Sequence, residues 1–259
     1  MTQSEPILSV QNLSKNFGGV QALSDISLDV YKGEIVSVIG PNGAGKTTLF
    51  NMICRLYDPS SGQIEFNETN LLKHAPHDLA GRGIGRTFQN LALFRHGTVV
   101  QNLLVGVHSR LRSGVLECAF YLGRTAREER DAREQVEEII EFLEIEEIRN
   151  QRVDKLSYGL QKRVELGRAM AIRPKLLLLD EMVSGMNQEE TEDIARFVLD
   201  IREGLDTTIL MIEHDMDVVM DISDRIHVLN FGRRIASGTP KEISHNQEVI
   251  EAYLGVSSS

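Results

Sequence analysis

One run of residues, Gly40-Pro41-Asn42-Gly43-Ala44-Gly45-Lys46-Thr47-Thr48, constrains this 259-residue chain more than any other. It fits G-x-x-x-x-G-K-[ST] at every fixed position, and its surroundings suit it. The apolar segment Ile35 to Ile39 before it reads as a buried strand, and "KTTLFNMI" after it reads as a helix. Glycines let such a loop curl so that successive backbone N–H groups point at phosphate oxygens. The helix that follows turns its positive end to the same place. Lys46 is placed to reach the β/γ-phosphates as a point charge, and Thr47 to offer a hydroxyl to Mg²⁺. Together these features imply a nucleoside triphosphate site within an α/β sheet.

A second segment, "LLLLDE", fits the same chemistry. Its four leucines bury a strand whose end delivers Asp180 and Glu181. Asp180 suits Mg²⁺, which favours carboxylates and keeps several of its waters. Glu181 is suited to polarise an attacking water. The pair means little alone; beside the cradle it implies binding and hydrolysis.

The rest of the chain alternates strands with helices. "ILSVQNLSKNFGG" and "ISLDVYKGEIVSVIG" read as antiparallel strands leading into the buried one, and "SGQIEFNE" as a turn and another strand. "TAREERDAREQVEEIIEFLEIEEIR" reads as a helix over about 125 to 149, with Val136, Ile139, Ile140 and Leu143 on one face. A helix over about 189 to 203, the buried strand in "TTILMIEH", another helix and a closing hairpin in "RIHVLNFGRRIASG" complete the pattern. The expected fold is α/β: a P-loop NTPase core with a mixed, mainly parallel sheet, an antiparallel β addition and a helical subdomain. That subdomain is expected at about 91–154, inserted in a single domain spanning 1–259.

Composition narrows the setting. The formal net charge of −10 supplies no global attraction to nucleic acid or anionic lipid. Cys54 and Cys118 are far apart and form no C-x-x-C pair, so both read as reduced thiols. The start "MTQSEPILSV" carries no evident signal peptide, and no apolar run approaches the roughly 18 residues of a spanning helix. A role at a membrane therefore requires a partner to hold the chain there.

"KLSYGLQKRVELGRAM" raises a different question, because its Ser-x-Gly heads a helix-like segment. A hydrolase elbow needs glycine two residues before the serine, and Lys155 stands there. Ser157 instead fits a helix N-cap, and Gly159 permits close backbone approach. Leu160, Val164, Gly167 and Ala171 give that helix a core face.

These segments, in this order, resemble the nucleotide-binding subunits of ABC transporters, over nearly the whole chain. "GPNGAGKTT" and "LLLLDE" resemble the Walker A and Walker B motifs, Gln89 in "RTFQN" the Q-loop, "LSYGL" the LSGGQ signature, and His214 in "IEHD" the switch histidine. Phe17 in "KNFGG" stands where the family stacks an aromatic on adenine, although an aromatic there also fits an ordinary core. Tyr158, Asn187 in "SGMNQEET", the long helical region around 108–135 and the closing "GTPKEI…VIEAYLG" are similar to the LivG-type ATPases of branched-chain amino acid importers. Urea-import and lipopolysaccharide-export ATPases are near relatives of that type.

The resemblance implies an ATPase in which two such subunits, copies of this chain or a paralogue, sandwich ATP head to tail and drive transmembrane permease subunits. A substrate-binding protein takes part indirectly, and nucleic acid does not. The subunit would lie at the cytoplasmic face of the inner membrane, peripherally. Gln89 would sense the γ-phosphate and the metal, His214 would contact the γ-phosphate beside Glu181, and Ser157 and Gly159 would face the partner's cradle. A soluble mechanical ATPase of the same superfamily is the alternative from another class. Three residues depart from the family pattern: Met182 for Pro, Leu160 for the signature Gln, and Tyr158 for a signature Gly. The first loses only a backbone restraint. The second loses a polar contact that Gln161, one residue on, is placed to take over.

Overall fold

Two antiparallel strands open the chain, β1 (Leu8–Phe17) and β2 (Val20–Val30), paired from Leu8↔Val30 to Phe17↔Val20. The structure, a computed structural model, describes residues 5–88, 91–108 and 124–254. Gln89, Cys118 and much of the stretch around 108–135 lie outside them. The chain divides into two compact units, Met1–Leu79 with Leu176–Ser259, and Ala80–Lys175.

In the first unit, the period-two residues Ile26, Leu28 and Val30 of β2 are all buried, as one inward face requires. Strand β3 (Ile35–Ile39) is buried at every position, Ser37 included; its hydroxyl shares a 2.6 Å hydrogen bond with that of Ser223. Helix α1 (Lys46–Ile53) starts directly after Gly45, which has no side chain to cap it. Strands β4 (Ser61–Phe66) and β5 (Thr69–Asn70) complete an antiparallel sheet in the order β2-β1-β4-β5.

The second unit contains α2 from Ala80 on (α2 spans Asp78–Arg82), β6 (Ile84–Arg86), α3 (Val99–His108), α4 (Arg124–Phe142) and α5 (Tyr158–Met170). Val136, Ile139, Ile140 and Leu143 form the expected buried stripe. The helix ends at Phe142, however, short of the anticipated 149. Positions 146 and 147, which would continue the stripe, are glutamates, whereas Ile145 falls off it. Glu144 turns left-handed (φ 55), and Ile145 reaches the core that way, only 2% exposed. Two glycines let helices meet closely here. A Cβ on Gly167 would lie 2.8 Å from side-chain atoms of Leu103 and Leu143, and one on Gly106 would lie 2.5 Å from the carbonyl oxygen of Arg168.

The first unit resumes with β7 (Leu176–Asp180), α6 (Gln188–Leu205), β8 (Thr208–Ile212), α7 (Met216–Ile222), β9 (Arg225–Asn230), β10 (Arg233–Gly238), α8 (Pro240–Ser244) and α9 (Gln247–Leu254). Strands β9, β3, β8 and β7 lie side by side and parallel, and β10 adds antiparallel to β9. The β9–β10 turn has positive φ at both Phe231 (44°) and Gly232 (75°), the type I′ geometry of tight hairpins. Asn187 starts α6 in a reciprocal capping box with Glu190, and Thr239 does the same for α8 with Glu242. The α/β class and the mixed, mainly parallel sheet are as the sequence implies. Among the described residues no helix is long and apolar enough to cross a membrane.

Candidate nucleotide-binding site

Parallel strands place their carboxyl ends together, and ligands of α/β sheets bind at that edge. Here β3, β8 and β7 are neighbours, and each ends in a segment carrying polar groups: the glycine-rich loop after β3, Asp180 and Glu181 at the end of β7, Glu213 and His214 after β8.

The loop is shaped by glycines in the left-handed region. Gly40 (φ 148) has no room for a side chain, since a Cβ would sit 2.0 Å from the carbonyl oxygen of Leu229. At Gly45 (φ 103) it would sit 2.5 Å from Leu23 Cδ2, whereas at Gly43 (φ 80) nothing lies within 4 Å. Gly43 is thus demanded by backbone conformation alone. Asn42 and Gly43 are exposed, Pro41 is half-buried, and the Ala44 N–H donates to the Pro41 carbonyl at 3.1 Å. Lys46 is buried, and its Nζ donates to the carbonyl oxygens of Gly40 (2.6 Å) and Pro41 (3.2 Å). Burial pushes the ammonium pKa down, while the carboxylates of Glu181 and Asp180 oppose the shift. Thr47 is exposed and Thr48 half-buried at the first turn of α1. An open loop of N–H groups, an uncapped helix start and a lysine facing two carboxylates fit a triphosphate and its metal.

Asp180 is 1% exposed at the end of β7. Glu181 leaves the strand in the left-handed region (φ 51), half-buried, with its N–H donating to the Ile212 carbonyl at 2.9 Å. A non-glycine residue held so is over-determined by its surroundings, a feature that clusters at functional sites. His214 is exposed just beyond the end of β8. Phe17 is 42% exposed, so it is no core aromatic. Its ring meets that of Tyr57 edge-on at 5.3 Å, with Lys15 Nζ 4.9 Å from its centroid.

The family model for the ABC transporter matches residues 23–184, which include the loop and the strand-end acids. The chain belongs to the ABC transporter family. A second model, of the branched-chain amino acid ATP-binding cassette transporter, matches residues 233–258. The chain is 42% identical over 252 residues to the high-affinity branched-chain amino acid transport ATP-binding protein LivG of Salmonella typhimurium, covering 97% of this chain and 99% of that one. Identity and coverage are the same for BraF of Pseudomonas aeruginosa, which carries the same description. Among solved structures, the ADP conformation of an ATP-binding cassette of an ABC transporter superposes with a TM-score of 0.84 at 32% identity, covering 98% of this chain and 100% of that one. As an ABC cassette, the chain is an ATP-binding ATPase.

The segment that resembles the family signature lies in the second unit. Ser157 caps α5 as expected: its Oγ accepts the Leu160 N–H at 3.3 Å. Gly159 is buried, Leu160 half-buried and Tyr158 43% exposed. Gln161 does not stand free in place of the missing signature Gln, because its amide donates to the Leu156 carbonyl at 2.9 Å. Farther along α5, Lys162 and Glu165 form a buried pair at 3.9 Å, and Glu165 Oε1 accepts the Phe88 N–H at 3.1 Å. The segment just before Gln89 is thereby fixed, although Gln89 itself lies outside the described residues.

Two residues that sequence reasoning passed over belong to the nucleotide end of the first unit. Tyr253, in the closing "VIEAYLG", accepts the backbone N–H of Gly40; burial pushes its phenol pKa up and that hydrogen bond opposes the rise. Glu213 is 2% exposed, and its Oε1 accepts the Val183 N–H at 3.1 Å. Burial pushes its carboxyl up to about 7, the N–H groups of Val183, Met182 and His214 oppose, and the charge of Glu181 adds to the rise. The available signal was an acid inside the otherwise apolar run "TILMIEH".

Proposed function

We propose that this cassette is the ATPase subunit of an importer for branched-chain or other hydrophobic amino acids. The match of residues 233–258 and the descriptions of LivG and BraF support that substrate class. In this reading the chain pairs head to tail with a second ATPase subunit, a copy or a paralogue, at the cytoplasmic face of the inner membrane. Permease subunits hold it there, and a substrate-binding protein delivers the cargo to them. The carrying observation is the convergence of Lys46, Asp180, Glu181 and His214 at the ends of three adjacent parallel strands.

The roles follow from chemistry and position. N–H groups of Pro41 to Thr48 (Pro41 itself supplying none) hold the phosphates, Lys46 neutralises the β/γ oxygens, and Phe17 offers a face to adenine. Thr47, Asp180 and Gln89 would hold Mg²⁺, which supplies charge neutralisation at the transferring phosphoryl group. Glu181 accepts a proton from water as the water oxygen bonds to the γ-phosphorus and the bond to ADP breaks; His214 hydrogen-bonds the γ-phosphate. Ser157 and Gly159 aim the start of α5 at the γ-phosphate held by the partner's cradle. The domain is one cassette in this reading, with a helical subdomain of about residues 91–154 inserted in it.

Glu181→Gln tests the assignment. Hydrolysis should fall by at least roughly 100-fold, the range of a lost general base, while ATP traps a dimer visible by size-exclusion chromatography. Unchanged hydrolysis would remove Glu181 from its role. Purification from membranes should bring a multi-span partner with the chain, and its absence would overturn the transport reading.

A further inference from the structure

We propose that Glu213 is a positioning residue of the hydrolytic site, a buried clasp that holds the chain leaving β7 against the chain leaving β8 and so sets where Glu181 and His214 point. This inference rests on the reading that Glu181 and His214 carry hydrolysis.

Three observations lead to it. First, the two strand ends are tied by one ordinary sheet contact, the Glu181 N–H on the Ile212 carbonyl at 2.9 Å, after which both chains leave the sheet. Beyond that point the described link between them is the Glu213 carboxylate, whose Oε1 takes the Val183 N–H at 3.1 Å. Second, the two functional side chains flank that link in sequence. Glu181 lies two residues before Val183, and His214 directly follows Glu213. Glu181 also sits in the left-handed region, a conformation that must be enforced from both sides. Third, a carboxyl only 2% exposed is costly to bury unless it is hydrogen-bonded, and the Val183 N–H supplies that bond. Among the described residues its second oxygen, Oε2, is buried and makes no hydrogen bond of its own.

Met182 gains a meaning from this arrangement. Where the family pattern has proline, this chain keeps a backbone N–H, and that N–H is among the groups acting on the Glu213 carboxyl. The Met182 side chain is 1% exposed, so the segment is anchored in the core through the side chain and to Glu213 through the backbone.

The test compares two conservative variants in the full chain, reading kcat for ATP hydrolysis and Kd for a fluorescent ATP analogue. Glu213→Gln keeps the reach and an acceptor for the Val183 N–H. Glu213→Asp keeps the charge but withdraws the oxygens by one methylene. Positioning predicts kcat within about threefold of wild type for Gln and at least tenfold lower for Asp, with ATP Kd within twofold for both, since the cradle is built elsewhere. An Asp variant as active as wild type overturns the proposal, and so does a Gln variant as impaired as Asp, because reach and an acceptor would then not preserve activity. If the Asp variant does not bind ATP, amide hydrogen exchange on the wild-type chain decides. The Val183 N–H should exchange at least 100-fold more slowly than that of exposed Gly185, and equal rates overturn the clasp. Glu181→Gln run in parallel separates the two levels. If it leaves hydrolysis intact the catalytic reading fails; if it abolishes hydrolysis while Glu213→Asp does nothing, the clasp alone fails.

Discussion

The ammonium of Lys46 donates to the carbonyl oxygen of Gly40, the first residue of its own loop, at 2.6 Å. The lysine thus stays inside the curl it closes, facing Asp180 and Glu181. Hydrogen bonds to charged groups contribute about 1.5–3 kcal/mol, and about 1.4 kcal/mol is tenfold in affinity. Lys46→Ala should therefore weaken binding of a fluorescent ATP analogue by roughly 10- to 100-fold. The midpoint of thermal unfolding should change little, because removing a buried amine also removes its desolvation cost.

Gly40 and Gly43 should respond differently to alanine although both have positive φ. Gly43→Ala meets nothing within 4 Å and carries only the left-handed penalty of about 1–2 kcal/mol. Gly40→Ala adds a contact 2.0 Å from the Leu229 carbonyl oxygen, so β9 or the loop must move. Denaturant titration should rank Gly40→Ala as clearly the more destabilised.

Glu213 makes stability fall as pH rises. Its carboxyl goes from an ordinary value of 4.5 to about 7 in the folded chain, so the folded state holds the proton more tightly than the unfolded state. That contribution is present in full below about 4.5 and is lost as pH rises through 7. At about 1.4 kcal/mol per unit the difference is about 3 kcal/mol. Glu213→Gln should abolish this slope, gaining on wild type between pH 5 and pH 8 (an interval of about the predicted shift) in chemical denaturation.

Ser157 separates capping from chemistry. Replacing a Ser N-cap by Ala costs about 1 kcal/mol, and by Gly only a few tenths. Ser157→Ala should therefore be less stable than Ser157→Gly by most of that amount. If Ser157 Oγ also serves the partner's phosphate, both variants should lose hydrolysis alike, measured as kcat.

Much of this was legible beforehand because the decisive signals are local. The cradle has fixed spacing, β3, β7 and β8 are short apolar runs, and the Ser157 cap follows from the backbone groups a helix start leaves open. Helix α4 shows where local reading stops. Its stripe predicted the buried face correctly, but the demand of Ile145 for burial ended the helix at Phe142. Asn187 looked like a mark of subgroup and proves also to be a capping residue. Glu213 showed only as an acid in an apolar run, and Tyr253 not at all, for a different reason: each acts on a backbone N–H far away in sequence, and backbone groups leave no trace in the order of side chains.

The type I′ turn at Phe231 and Gly232 carries a consequence for synthesis. Gly232 donates its N–H to the carbonyl of Ala44, inside the cradle, at 3.1 Å, and accepts the N–H of Ser24 at 2.8 Å. The phosphate loop is thus finished by a hairpin far along the chain. A ribosome emits the glycine-rich loop long before that hairpin, and closing so long a span is slow. A nascent chain halted before residue 232 has every group proposed to hold phosphate and lacks the latch that shapes them. Nucleotide binding should therefore wait in translation until the hairpin at residue 232 has emerged.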